Sequence, residues 1–269
     1  MRTAIISDIH GNLEAFHRVL EAIDARNVDE IISLGDILGY GPDPAACADL
    51  VAERCSFSLM GNHDYAVLYE PTNFNEAAKL AAYWTREQIT GTNPKSDSDI
   101  KRIDFLNRLR VRWCYEDLYT CVHGTVRKPI NEYLFSSDPV ENPHKVQQIF
   151  DCIDRRCLVG HTHVPGIFTE EPEFYHSSEL GGIEGDDDDD LVGRFVFSTN
   201  EDEKTIVNPG SVGQPRDHDP RASFAILDTT NDHSVSFYRV EYDIESVASR
   251  ILDIETLSPW LAERLYKGV

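Results

Sequence analysis

No apolar run in this sequence approaches the ~18 residues that a membrane-crossing helix needs. The opening segment, MRTAIISDIHG, meets charged and polar residues too early to serve as an export signal. Together these absences predict a cytoplasmic protein. Cysteine occurs without a pairing pattern: Cys47, Cys55, Cys114, Cys121, Cys152 and Cys157 include no Cys-x-x-Cys. Reduced thiols, mostly small core residues, are the simplest reading. A zinc site on Cys152 and Cys157 would need a second pair nearby, and the sequence offers none. Positive charge is scarce as well, with 25 Lys and Arg against 47 Asp and Glu, a formal net charge of −22. That balance excludes a broad, sequence-independent grip on nucleic acid. It also sets a problem for any protein that handles phosphate, one that bound metal ions would solve by setting the local potential themselves. Internal repeats are absent.

What is present suffices for one α/β domain over residues 1–269, with hydrophobic residues at an ordinary 41%. The apolar run Arg2–Ser7 predicts a buried parallel strand. Leu13, Phe16, Val19, Leu20 and Ile23 form a helical stripe within Asn12–Arg26. Glu30–Leu34 and Ser56–Met60 read as strands, with a helix over Pro44–Arg54 between them. That alternation is the mark of a parallel sheet with crossover helices. Two helices, Asn75–Ile89 and Asp99–Leu109, break the rhythm and are expected to cap one side of a cleft, over about 75–110. Arg112–Tyr115 and Leu118–Val122 predict a tight antiparallel pair, Asn142–Ile153 a helix and Cys157–Val159 a strand. Arg194–Ser198, Lys204–Val207, Ala222–Leu227 and Ser234–Val240 read as a second block of strands, followed by helices over Val247–Ile254 and Trp260–Tyr266.

Between these blocks, Glu170–Asp190 holds Glu170, Glu171, Glu173 and the run Asp186–Asp190, with Gly181, Gly182 and Gly185 before it. Like charges repel and stay solvated. The segment, about 170–193, is therefore expected to be a surface insert, the tip of a hairpin. A calcium loop would need an alternating ligand spacing that this run lacks.

Five fragments carry the chemistry: Ser7-Asp8-Ile9-His10-Gly11, Gly35-Asp36-Ile37-Leu38-Gly39, Gly61-Asn62-His63-Asp64, Val122-His123-Gly124-Thr125 and Gly160-His161-Thr162-His163. Four directly follow a strand-like run. In an open α/β sheet, ligands bind at the carboxyl ends of strands, so the fold would gather these distant fragments at one edge. Imidazole and carboxylate are ligands of divalent manganese, zinc and iron. Glycine beside each ligand permits sharp turns and close backbone approach. A single histidine of this kind is ordinarily a surface or core residue. Five such fragments in this order are a constellation.

The order Asp-x-His, Gly-Asp-x-x-Gly, Gly-Asn-His-Asp, His-Gly, Gly-His-x-His resembles the calcineurin-like metallophosphoesterases from about Ile5 to Val164. The tail Asn208-Pro209-Gly210-Ser211-Val212 is similar to a signature of their small bacterial and archaeal phosphodiesterase branch. The resemblance implies a two-sheet β-sandwich flanked by helices, in α-β-β-α layers. It implies two divalent metal ions, one held by Asp8, His10, Asp36 and His163, the other by Asp36, Asn62, His123 and His161. Manganese is the first expectation, with iron, zinc, nickel and magnesium as alternatives. The implied reaction is in-line attack on phosphorus by a hydroxide shared between the metals, so that no side-chain base is needed. His63 would assist the leaving oxygen, with Asp64 accepting its ring N–H; the plainer role for Asp64 is to cap the following helix.

The implied substrate is a small phosphorylated molecule bearing a phosphodiester or phosphoanhydride. Gly39-Tyr40-Gly41-Pro42 and the Pro129–Leu134 stretch look like members linked to dinucleoside polyphosphate hydrolysis. Ser/Thr protein phosphatases carry an arginine in the second motif, and Gly35–Pro42 has none. A phosphomonoesterase is the alternative activity, and a protein-binding scaffold of the same fold the alternative class; scaffolds lose ligands that this chain keeps. Arg127 and Arg216 are candidate phosphate contacts through their planar forks, and Tyr40 a candidate base-stacking ring. No membrane partner is expected, and a homo-oligomer is compatible with the sequence.

Overall fold

The computed structural model describes residues 1–91, 96–181, 188–200, 203–230 and 233–269. In chain order they form β1 (Arg2–Ile6), α1 (Leu13–Asp24), β2 (Glu30–Ser33), α2 (Pro44–Arg54), β3 (Phe57–Ser58) and α3 (Asn62–Leu68). Then come α4 (Glu76–Thr90), α5 (Asp97–Asn107), β4 (Arg112–Tyr115), β5 (Tyr119–Val122), α6 (Asp138–Glu141), α7 (Pro143–Phe150) and β6 (Arg156–Leu158). The remainder comprises β7 (Gly166–Thr169), β8 (Glu173–His176), β9 (Leu191–Val196), β10 (Thr205–Asn208), β11 (Ala222–Asp228), β12 (Ser234–Val240), α8 (Ile244–Leu252) and α9 (Trp260–Glu263). Among the described residues, no helix is long and apolar enough to cross a membrane.

The strands make two mixed six-stranded sheets, ordered β3-β2-β1-β11-β12-β9 and β4-β5-β6-β10-β7-β8. Side-chain alternation along a strand explains why they stack. On β1, Ile5 enters the core between the sheets with Leu158 and Val207 from the second sheet, whereas Ala4 and Ile6 face the helices with Phe16 and Val19 of α1. On β5, Cys121 faces inward and Val122 faces Val146, Ile149 and Phe150 of α7. The result is the expected α-β-β-α layering, in which each fully buried aliphatic side chain contributes roughly 1.5–3 kcal/mol. Helix α1 starts where Asn12 accepts the Ala15 N–H, and its buried stripe is Ala15, Phe16, Val19, Leu20 and Ile23. Helices α4 and α5 pack on each other and on α2.

The second block of strands is divided between the sheets: β11 pairs antiparallel with β1, and β12 and β9 extend the first sheet, while β10 inserts between β6 and β7 of the second. One expectation needs correction. The acidic segment is not simply a solvated tip. Its first part is strand β8, paired with β7 through Phe168↔Phe174 and Ile167↔Tyr175. Near its end, Asp188 and Asp190 accept from Arg26 at 2.5 and 2.9 Å, with the Arg26 guanidinium 4.7 Å from the Tyr238 ring centroid. Residues 182–187, including Gly182, Gly185, Asp186 and Asp187, lie outside the described residues. The cysteines are all free thiols; Cys157 is buried while Cys152 is exposed, so the two do not share a site.

Candidate metal centre

The parallel strands β1, β2, β3, β5 and β6 place the five fragments at their carboxyl ends, where each chain must turn sharply. These turns use backbone that non-glycine residues rarely adopt. Asp8, His10, Asp36, His161 and His163 have φ of 57°, 50°, 53°, 68° and 63°, and Tyr40 has 62°. Such strain persists only where surrounding structure over-determines it. Here the neighbours do. Asn208 donates to the Gly160 carbonyl at 2.8 Å and to Thr162 Oγ1 at 2.9 Å, pinning the Gly-His-x-His loop. Ser211 Oγ donates to the Asp8 carbonyl at 2.8 Å. The Asn-Pro-Gly-Ser tail therefore acts by holding two ligand loops. Glycine is required where the loops touch: a Cβ on Gly61 would overlap the Asp36 carboxylate, and one on Gly160 would overlap Ser7 Oγ.

The side chains converge in a buried cluster. Asp8, His10 and His163 offer donor atoms within 4.8 Å of one another, as do Asp36, His123 and His161, and as do His10, Asp36 and His63. Asn62 Oδ1 lies 3.2 Å from His123 Nε2. Three histidines are fixed from behind, since His10, His123 and His163 Nδ1 lie 3.0, 3.0 and 2.5 Å from the carbonyls of Leu38, Leu34 and Gln214. A carbonyl only accepts, so each Nδ1 carries a proton; in the neutral rings of His10 and His163, Nε2 then turns a lone pair inward, whereas His123 Nε2 keeps a second proton below about pH 9. His10 Nε2 then faces His163 Nε2 at 3.2 Å, and His123 Nε2 faces Asp36 Oδ2 at 3.3 Å. Asp8 Oδ1 and His161 Nε2 are buried with no hydrogen bond among the described residues. Where no donor stands between them, as at the His10–His163 pair, the inward lone pairs repel. This is a donor set that fits divalent cations.

Electrostatics agree. Burial opposes ionisation of Asp8, yet His163 and His123 hold it below the usual carboxylate range. Burial likewise opposes ionisation of Asp36, which His123, His63 and His10 hold well below that range. Burial keeps His10, His161 and His163 neutral by lowering each of them. His123 differs: burial disfavours its charge, but Asp36 and Asp8 raise it to about 9.

The expected His63–Asp64 pair is a correction. Asp64 accepts instead from the backbone N–H groups of Asp36, Leu38 and Gly61, at 2.8, 3.0 and 3.0 Å. Its carboxylate caps α3 and ties that helix to the Asp36 loop, so its role is positional. Burial and the Asp36 carboxylate push it up to about 7, against the pull of those N–H groups. His63 Nδ1 has no hydrogen-bond partner among the described residues, and its ring lies 4.3 Å from Tyr40, 4.8 Å from His10 and 4.6 Å from Phe74.

Tyr40 is likewise corrected. It is 9% exposed and packs against His10 and His63, so it offers no face to a base. Arg127 ion-pairs with Glu132 at 3.1 Å and donates to Gln148 at 2.5 Å, which commits it to its own loop. Arg216 does face the cluster: its Nη2 donates to Gln214 Oε1 at 2.9 Å, and it lies within electrostatic reach of Tyr40, His63, His163 and Tyr133. Its Nε is buried without a partner among the described residues. Tyr133, which lies in the Pro129–Leu134 stretch but was not named by itself, stacks on His161 with centroids 3.7 Å apart. Its place two residues before Phe135 in a loop just after the His-Gly fragment was the available signal.

The family model for the calcineurin-like phosphoesterase superfamily domain matches residues 1–232. The uncharacterised protein MJ0912 of Methanocaldococcus jannaschii is 35% identical over 268 residues, covering 98% of this chain and 97% of its own. A metallophosphoesterase crystal structure from Sphaerobacter thermophilus is 36% identical with a TM-score of 0.79, covering 100% and 99% of the two chains. The hypothetical protein PH1004 of Pyrococcus horikoshii shares the fold at 19% identity and TM-score 0.71, covering 100% and 98%.

Proposed function

Because the chain belongs to the calcineurin-like phosphoesterase superfamily, we propose that it is a two-metal hydrolase of phosphodiester or phosphoanhydride bonds in small molecules. The observation that carries this reading is the inward array of imidazole lone pairs and carboxylate oxygens, with Asp36 reaching both halves. One cation would be held by Asp8, His10, Asp36 and His163, and the other by Asp36, Asn62, His123 and His161. Manganese suits this oxygen-and-imidazole set, with iron, zinc, nickel and magnesium as alternatives. When bound, such a pair supplies Lewis acidity toward phosphate oxygens and lowers the pKa of water.

The chain's own residues do the rest. The backbone carbonyls of Leu38, Leu34 and Gln214 keep three imidazoles in the ligating tautomer. Asp64 holds the Asp36 loop against α3. Arg216 offers its fork to a non-bridging phosphate oxygen, and His63 lies where a proton or hydrogen bond can meet the leaving oxygen. Dinucleoside polyphosphates are the natural substrates to test first, on the Gly39–Pro42 and Pro129–Leu134 resemblance.

The test strips the protein of metal, reconstitutes it with manganese and follows an aryl phosphodiester. Changing Asp36 to Asn should weaken metal binding by more than the about 10–100-fold that loss of an outer partner costs, and should bring turnover to background. Two metals at native affinity with a native rate in that variant would overturn the assignment.

A further inference from the structure

The loop between β5 and α6 is more ordered than its lack of regular structure suggests. The Gly124 N–H donates to the Pro129 carbonyl at 2.6 Å, and Thr125 Oγ1 donates to Glu132. At the other end, buried Asp138 accepts from the Phe135 N–H at 2.7 Å, Asn142 Nδ2 at 2.9 Å and Lys145 Nζ at 2.5 Å. Leu134 anchors the middle, packed with Val146, Ile149 and Phe150 in the core beneath α7. With Leu134 inward, its neighbours Tyr133 and Phe135 face out together, 36% and 48% exposed. Their rings lie 5.0 Å apart and 5° from parallel. Tyr133 is also stacked on His161, at 3.7 Å and 21°. Three near-parallel rings thus run from a candidate metal ligand toward solvent.

Two exposed aromatic rings at the mouth of a polar site, held by a braced loop, are costly to leave in water unless something flat covers them. Cationic groups border the rings. Arg216 lies within electrostatic reach of Tyr133, and the Lys145 ammonium is 5.6 Å from the Phe135 ring centroid. Tyr133 is stacked between His161 and Phe135, so the face left to a planar ring is the outer face of Phe135. We propose that Tyr133 and Phe135 form an aromatic shelf that selects phosphate esters carrying a nucleobase or similar flat ring. This deepens the phosphoesterase reading and rests on it for the position of the phosphate, while the shelf itself is a binding claim.

Binding separates the two. Calorimetric titration of the manganese-loaded protein with AMP and with ribose 5-phosphate compares ligands that differ only in the base. In the wild type, AMP should bind about tenfold more tightly, the lower part of the range for base–aromatic stacking. Phe135→Ala should bring the ratio of the two affinities toward one. Phe135→Leu, which keeps apolar bulk without a flat ring, should do the same, and Phe135→Trp should retain the preference. Equal affinities in the wild type, or a ratio that survives both Phe135→Ala and Phe135→Leu, would overturn the shelf. Turnover of methyl p-nitrophenyl phosphate without an AMP preference would sink the shelf alone. An AMP preference without turnover by any metal form would sink the hydrolase reading alone.

Discussion

His123 sets the terms on which a metal can enter. Asp36 and Asp8 raise it to about 9 despite its burial, so below that pH the metal-free protein holds a proton where a metal needs a lone pair. His10, His161 and His163 are already neutral, and both carboxylates are ionised. Binding should therefore expel one proton, and metal affinity should rise about tenfold per pH unit up to about pH 9, then level off. Chelator competition across that range, with calorimetry in buffers of different ionisation enthalpy, reads both quantities. A flat profile would show that the metal does not displace this proton. His63 is argued from its environment in the same way. Burial, with Arg216 beside it, lowers it to about 4 although Asp36 opposes the shift, so at neutral pH the ring is uncharged. Any proton it delivers is called up by charge on the leaving oxygen. His63→Ala should then slow a nucleotide-type leaving group by about 10²–10⁴-fold and nitrophenolate far less, with metal content unchanged. Equal losses on both would make His63 a positioning residue. The ligand candidates were legible because imidazole and carboxylate in fixed order leave few other readings. Asp64 was legible only in part. The helix cap is expected from the sequence and is present, but its other partners are the Asp36 and Leu38 N–H groups of a loop 28 and 26 residues away, and main-chain hydrogen bonding leaves no trace in side-chain order.

At the scale of elements, helix and strand patterns found α1, α2, β4, β5 and β12 with little or no error in their ends; the helices carry a buried stripe, and β5 and β12 are short runs buried almost throughout. A hairpin is expected here, but its strands β7 and β8 are not legible in the sequence, for a physical reason. Its turn and outer strand are dominated by Glu170, Glu171, Pro172 and Glu173, and an edge strand needs only one apolar face, supplied here by Phe174 against Phe168. The acidic run misled in a related way. Like charges are solvated when nothing opposes them, but Arg26 at the end of α1 meets Asp188 and Asp190 across 162 and 164 residues of sequence. No local pattern announces a partner so far away. Arg26→Ala should lower stability by about 1–2 kcal/mol, below the full worth of charged hydrogen bonds because Asp190 is 40% exposed and screened. The denaturant midpoint should fall while turnover stays near wild type. An unchanged midpoint would return the segment to the solvated tip that its composition suggests.

Across the whole molecule, a net charge of −22 surrounds a site proposed to take anionic substrates. The two fields have different ranges. At about 0.01 M salt the Debye length is roughly 30 Å and every surface carboxylate is felt by an approaching phosphate. Near 0.15 M it shrinks to about 8 Å, and what remains at the mouth is Arg216 and the metals the cluster would hold, Lys145 being paired with Asp138. Association should therefore be hindered at low salt and relieved at physiological salt, the reverse of an enzyme that steers its substrate by opposite charge. We expect kcat/KM to rise with ionic strength by up to about tenfold for a dinucleoside polyphosphate, the low end of long-range charge effects on encounter. The rise should be smaller for a singly charged aryl diester. The rate at saturation should not move, because the bound substrate already sits inside the short-range field. A fall in kcat/KM with salt would mean that the local cations reach further than the acidic surface, and that the surplus of carboxylates lies on faces the substrate never crosses.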